Sequence, residues 1–155
     1  MHKLSKIIIS LFGIGFSRFA PGTIGSLTTI VLFYFIINHI SSLVLIFIFV
    51  LVFFISLILI RIYSLKSRIH DSPEIVIDEF LGILLVLIFY DYLKFANDFI
   101  MFILIFLLFR FFDILKIYPA NWIDKNIKNS LGIILDDLVA ALYCIIILLI
   151  LNVFL

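Results

Sequence analysis

Leu43–Ile60 reads LVLIFIFVLVFFISLILI, 18 residues without a charge and with one hydroxyl, Ser56. As a helix the stretch is about 27 Å long, close to the hydrocarbon thickness of a bilayer. Open backbone in hydrocarbon would leave amides unpaired, and a barrel strand would alternate polar with apolar residues, which this run does not. It therefore predicts a membrane-spanning helix. The composition agrees: 66% hydrophobic, 14% charged, 19 Phe in 155 residues and a mean hydropathy of +1.39. Soluble domains hold about 45–50% apolar and about 25% charged residues. A disordered chain and a nucleic-acid binder are excluded, and a soluble domain is disfavoured.

Working outward, four more stretches carry the same signal: 23–40, 75–92, 99–115 and 138–155. Two of them contain ionisable residues near one end, Asp78 and Glu79 in the first and Arg110 and Asp113 in the second. The N-terminal Lys3 and Lys6 before Ile7–Phe16 resemble the start of a signal peptide, but no small-x-small cleavage site follows. A ten-residue run with two glycines reads instead as a retained re-entrant or interfacial helix. No repeat or low-complexity linker divides the chain. The expected architecture is all-α: a single domain, 1–155, forming a multi-pass bundle of about five transmembrane helices plus that N-terminal helix.

The net charge of +1 says little, and its distribution says more. With these spans, Lys3, Lys6, Arg18, Arg61, Lys66, Arg68, Arg110, Lys116, Lys125 and Lys128 fall on one side and only Lys94 on the other. Cytoplasmic loops are the ones rich in Lys and Arg, so the first side is expected to face the cytoplasm. All the carboxylates except Asp91 and Asp98 fall there too. Asp78, Glu79, Asp113, Asp124, Asp136 and Asp137 are thereby gathered on one face.

Asp78-Glu79 opens the third expected span and Asp136-Asp137 the fifth. One acid in a first helical turn is ordinary dipole complementation, about 0.3–1 kcal/mol. A second adjacent acid gains little and repels the first. Ionisable groups at membrane depth mark functional sites by default. Arg110, Asp113 and Lys116 are spaced to share one helical face. They form either a structural ion-pair ladder or a working set, with Asp113 on a metal and Arg110 and Lys116 on a phosphate. Carboxylates without soft ligands suit a hard cation, and Mg²⁺ is the natural candidate.

Cys144 is alone in an apolar run, and His2, His39 and His70 show no ligand spacing, so zinc is not expected. Ala20-Pro-Gly-Thr-Ile-Gly-Ser26 has no P-loop spacing. Its free helix-start amides at Thr23 and Gly25 suit an anion, and its glycines equally suit close helix packing. In 117–135, Pro119, Trp122, Ile123 and Ile127 stand beside Asp124, Lys125 and Lys128. This predicts a short interfacial helix, either a lid over a lipid substrate or a simple anchor. His70-Asp71 reads as a solvated loop pair.

Three blocks in order carry a family resemblance. They are Ser17-Arg-Phe-Ala-Pro-Gly-Thr-Ile-Gly-Ser-Leu27; His70-Asp with Ile75-Val-Ile-Asp-Glu-Phe-Leu-Gly82; and Phe109-Arg-Phe-Phe-Asp-Ile-Leu-Lys116 with Asp136-Asp-Leu-Val-Ala140. Over residues 13–141 the chain resembles the phosphatidylglycerophosphatase A family. The resemblance implies a Mg²⁺-dependent lipid phosphatase of the bacterial inner membrane that converts phosphatidylglycerophosphate to phosphatidylglycerol and inorganic phosphate. By position it implies metal ligands among Asp78, Glu79, Asp113, Asp136 and Asp137. Catalytic roles fall to Asp113, Lys116, Asp124 and Asp137, and substrate contacts to Arg110, Lys116, Thr23 and Gly25. Departures from the family pattern are Ile117 where Pro is usual, and Asn129-Ser130 and Ala141 where Gly is usual. The reading from a different class is a small cation transporter or channel, which would need polar groups at mid-membrane or on both faces.

Overall fold

The computed structural model describes residues 2–67, 72–93 and 97–154; Arg68, His70, Asp71 and Lys94 lie outside them. The elements in order are α1 (His2–Ile9), α2 (Pro21–Ile36), α3 (Ser42–Ser67), α4 (Ile77–Ile88), α5 (Asp98–Leu115), α6 (Ala120–Asn126) and α7 (Ser130–Phe154). Single 3-10 turns follow α1, α2 and α4. No strand occurs among the described residues.

Among the described residues three helices are long and apolar enough to cross a membrane: Pro21–His39, Ser42–Ser67 and Ser130–Val153. The expected count of about five is not reached on length and composition. α4 has 12 residues, about 18 Å, and α5 has 18 residues but carries Asp98, Arg110 and Asp113. The difference has a physical origin. α4 is the central helix, packed by α2, α3, α5 and α7, and Leu81, Ile83, Leu84, Val86 and Leu87 are all fully buried. Apolar residues that face protein and those that face lipid look alike in a sequence. α3 is the opposite case: Leu43, Phe47, Phe54 and Ile58 all point outward.

Between helices in lipid, small residues replace the hydrophobic effect as the basis of close packing. A side chain at Gly82 would meet the Phe109 ring at 2.5 Å, and one at Gly25 would meet Val76 at 3.0 Å. Ala140 and Ala141 carry the α4–α7 seam onward, fully buried. α1, about 12 Å long, is too short to cross. The chain reverses after it through left-handed Leu11, Phe12 and Gly13, and the Val76 amide donates to the Ile9 carbonyl at 3.0 Å.

α7 begins at Ser130, eight residues before the expected fifth span. Asn129 caps it, its Oδ1 accepting from the Leu131 and Gly132 amides, both at 3.0 Å. Asp136 and Asp137 therefore do not open the helix but sit well inside it. The dipole effect falls off within the first turn, so helix capping does not account for this pair.

Candidate active site

The chain alternates direction, so the start of α2, the start of α4, the end of α5 and the first third of α7 meet at one end of the bundle. There they enclose a cavity of about 270 Å³. Its charged lining is Asp78, Glu79, Arg110, Asp113, Lys116, Asp136 and Asp137; Ala20, Pro21, Gly22, Ser72, Pro73, Ile75 and Ile133 complete it. A larger depression between α3 and the start of α7, about 710 Å³, is lined by Arg61 and Lys128 but by no carboxylate.

Asp78, Asp136 and Asp137 are 8%, 6% and 4% exposed. Carboxylate oxygens of Asp78, Glu79 and Asp137 all lie within 4.8 Å of one another. Asp78 Oδ1 accepts from the Glu79 amide at 3.1 Å. Glu79 Oε2, Asp136 Oδ1, Asp137 Oδ2 and Arg110 Nε are buried without a hydrogen-bond partner. Such atoms are costly unless something absent from the polypeptide meets them. A divalent cation suits the three clustered carboxylates, and an anion suits the free guanidinium edge.

Two cations are held in place by other acids. Arg110 pairs with Asp113 one turn away and lies 3.7 Å from Glu79. Arg110 and Asp113 thus form the ion pair that their spacing offers, but Lys116 does not extend it. Lys116 adopts a left-handed backbone as the C-cap of α5. Its Nζ reaches Asp136 on α7 at 2.7 Å and Asp124 on α6 at 3.0 Å. Partial burial pushes the Lys116 ammonium toward deprotonation, but the hydrogen bonds and charges of Asp136 and Asp124 outweigh it and raise its pKa.

Not every expected residue lines the cavity. Asp124 is one ion pair away, behind Lys116. Thr23 and Gly25 are not in the lining; Gly25 packs against Val76, while Ala20, Pro21 and Gly22 of the same loop border the cavity. Gly22 is the glycine that matters at the rim. A Cβ there would overlap the Glu79 carboxylate and come within 3.2 Å of Arg110. α6 is the short helix expected, with Ala120 and Ile123 buried and Trp122 outward.

One group has no sequence signal. Glu74 receives hydrogen bonds from Tyr63 at 2.7 Å and from Lys6 at 3.1 Å, and so ties α1 and α3 to the segment that leads into Asp78. The hydrogen bond from Tyr63 is the chief reason that its carboxyl sits below the ordinary range; burial opposes this and Lys6 adds to it.

No solved structure matches the chain. A family model described as Phosphatidylglycerophosphatase A matches residues 7–152. Phosphatidylglycerophosphatase A of Haemophilus influenzae is 32% identical over 136 residues, covering 88% of this chain and 81% of that protein. The Escherichia coli K12 protein of the same name is 32% identical over 132 residues, covering 83% and 72%. The matched region takes in every helix that lines the cavity, and the chain belongs to the phosphatidylglycerophosphatase A family.

Proposed function

We propose that the protein hydrolyses the terminal phosphomonoester of phosphatidylglycerophosphate, giving phosphatidylglycerol and inorganic phosphate, with Mg²⁺ as cofactor. Beside family membership, one observation supports this most: buried carboxylate oxygens and a guanidinium edge without partners converge on a single cavity. Asp78, Glu79 and Asp137 would hold the ion, an all-oxygen set suited to a hard cation. Bound there, Mg²⁺ supplies phosphate charge neutralisation and a more acidic water. Arg110, oriented by Asp113 and Glu79, binds the phosphate oxygens through its free edge and stabilises their charge in the transition state. Lys116, kept protonated between Asp124 and Asp136, adds a second fixed positive charge. Asp113 and Asp136 are each engaged by a cation through one oxygen, and the unpartnered Asp136 Oδ1 is the better placed to take the proton of the attacking water. Water oxygen bonds to phosphorus, the phosphorus–oxygen ester bond breaks, and the glycerol oxygen leaves and takes a proton from solvent, to which Asp136 returns the one it accepted.

In this reading α4 and α5 complete five crossings, with α4 a short one buried among its neighbours. The cavity end carries the cations and faces the cytoplasm of a bacterial inner membrane. The cation-pathway alternative gains no support. Beyond the cavity the core of α4 and α7 residues includes Leu84, Leu87, Ala140, Ala141, Cys144 and Leu148, all fully buried and none charged.

The test is phosphate release by the purified protein in detergent from phosphatidylglycerophosphate, with phosphatidic acid as competitor, in Mg²⁺ and in EDTA. Release that needs Mg²⁺ and is little inhibited by phosphatidic acid is expected. No release from phosphatidylglycerophosphate overturns the proposal.

A further inference from the structure

A second cavity, about 530 Å³, opens between α1 with its reversal, α2, α3 and α4. Two hydroxyls reach it, and both are spent inside their own helix: Thr28 Oγ1 donates to the Ile24 carbonyl and Thr29 Oγ1 to the Gly25 carbonyl, each at 2.8 Å. The rest of the wall is hydrocarbon or aromatic, including Leu32, Ile55, Ile77 and Phe80. It offers nothing to a polar ligand.

Its position relates it to the charged cavity. Gly22 borders the charged cavity and Thr29 the apolar one. They are seven residues apart, on one face of α2 and about 10 Å along its axis; Leu32 is about 15 Å along. α4 divides by face within its first turn, with Asp78 and Glu79 toward the charged cavity and Ile77 and Phe80 toward the apolar one. The two cavities thus adjoin across the first turn of α4 and are offset along α2, charged at the bundle end and apolar deeper. A phospholipid has the same order of parts. The outer wall is the reversal after α1, where Leu11 (φ 47°) and Phe12 (φ 58°) are left-handed in succession. That conformation is uncommon for residues with a side chain and persists where the surroundings hold it. Here it turns Leu11 and Phe12 onto the cavity.

We propose that this apolar cavity receives one acyl chain of the lipid whose phosphate occupies the charged cavity. The proposal rests on the lipid phosphatase reading. It assigns chain-length selectivity to Leu32 on α2 and Ile55 on α3, half-exposed residues at its wall.

The experiment measures kcat/KM for dioctanoyl and dipalmitoyl phosphatidylglycerophosphate in competition within the same mixed micelles. The proteins are wild type, Leu32→Trp, Ile55→Trp and, as a control, Val31→Trp, which projects from α2 outside the cavity. A filled cavity should lower the dipalmitoyl-to-dioctanoyl ratio about tenfold or more, and Val31→Trp should leave it at the wild-type value. Leu32→Trp and Ile55→Trp enter from different helices, so impaired folding of one leaves the other to decide. An unchanged ratio in both, or an equal shift in Val31→Trp, overturns the acyl-chain assignment while the phosphatase reading stands. If wild type cleaves neither lipid, both fall.

Discussion

At the end of the bundle away from the cavity, Asp91 accepts a hydrogen bond from Ser42 and Asp98 one from Asn38 at 3.4 Å; these contacts are solvent-exposed. Asn152 closes that end by donating to the Tyr92 carbonyl at 3.2 Å. At the cavity end the acids are buried, Asp78, Glu79 and Asp137 crowd together, and oxygens of Glu79, Asp136 and Asp137 lack partners. The same residue type is a loop fastener at one end and a poised group at the other. What separates them is desolvation. An exposed carboxylate gains little and costs little, whereas a buried unpaired one is tolerated only if a ligand meets it.

The largest effect should come from exchanging one acid at each end. Asp137→Asn should lower phosphate release from phosphatidylglycerophosphate by about a thousandfold, at the upper end of what one transition-state contact supplies. Asp91→Asn should stay within about twofold of wild type. Equal losses would break the comparison. Next is Gly22→Ala, whose added methyl displaces the Glu79 carboxylate. A shift of about 1 Å in a positioned group costs as much as a hundredfold, so kcat/KM should fall between about tenfold and a hundredfold with the thermal midpoint nearly unchanged. Wild-type activity would show that Glu79 need not be held where it is. Asn129→Ala removes the α7 cap and should cost about 1 kcal/mol in a denaturation series.

The smallest effect concerns Glu74. Its carboxyl is held below the ordinary range in the folded protein, so its contribution is complete above that range and is lost as pH falls through the lowered value. Glu74→Gln should therefore narrow the gap in thermal midpoint between neutral and acid pH. The change is small, since half-exposed ion pairs contribute under about 1 kcal/mol. An unaltered pH profile would show that the Lys6–Glu74–Tyr63 tie adds nothing.

The gathering of the acids was legible in the sequence because it depends only on the alternation of apolar runs, and the site end follows from counting crossings. The length and central position of α4 were not legible, since hydropathy does not distinguish a neighbour's side chain from a lipid tail. Asp136-Asp137 read as a helix boundary because charges usually mark one; only the Asn129 cap places the start earlier. The turn of Lys116 away from Asp113 depends on a single left-handed residue. The role of Glu74 depends on partners 68 and 11 residues distant in the chain, which no local pattern contains.

The central claim is that the clustered, buried acids at one end form a divalent-cation site, and the most direct measurement is cation binding without turnover. Mn²⁺, as a paramagnetic substitute for Mg²⁺, is titrated into purified protein in detergent and read by electron paramagnetic resonance. Wild type and Asp91→Asn should bind alike, competitively with Mg²⁺, and Asp137→Asn should lose that binding. Undiminished binding in Asp137→Asn, or its loss in Asp91→Asn, would contradict the account.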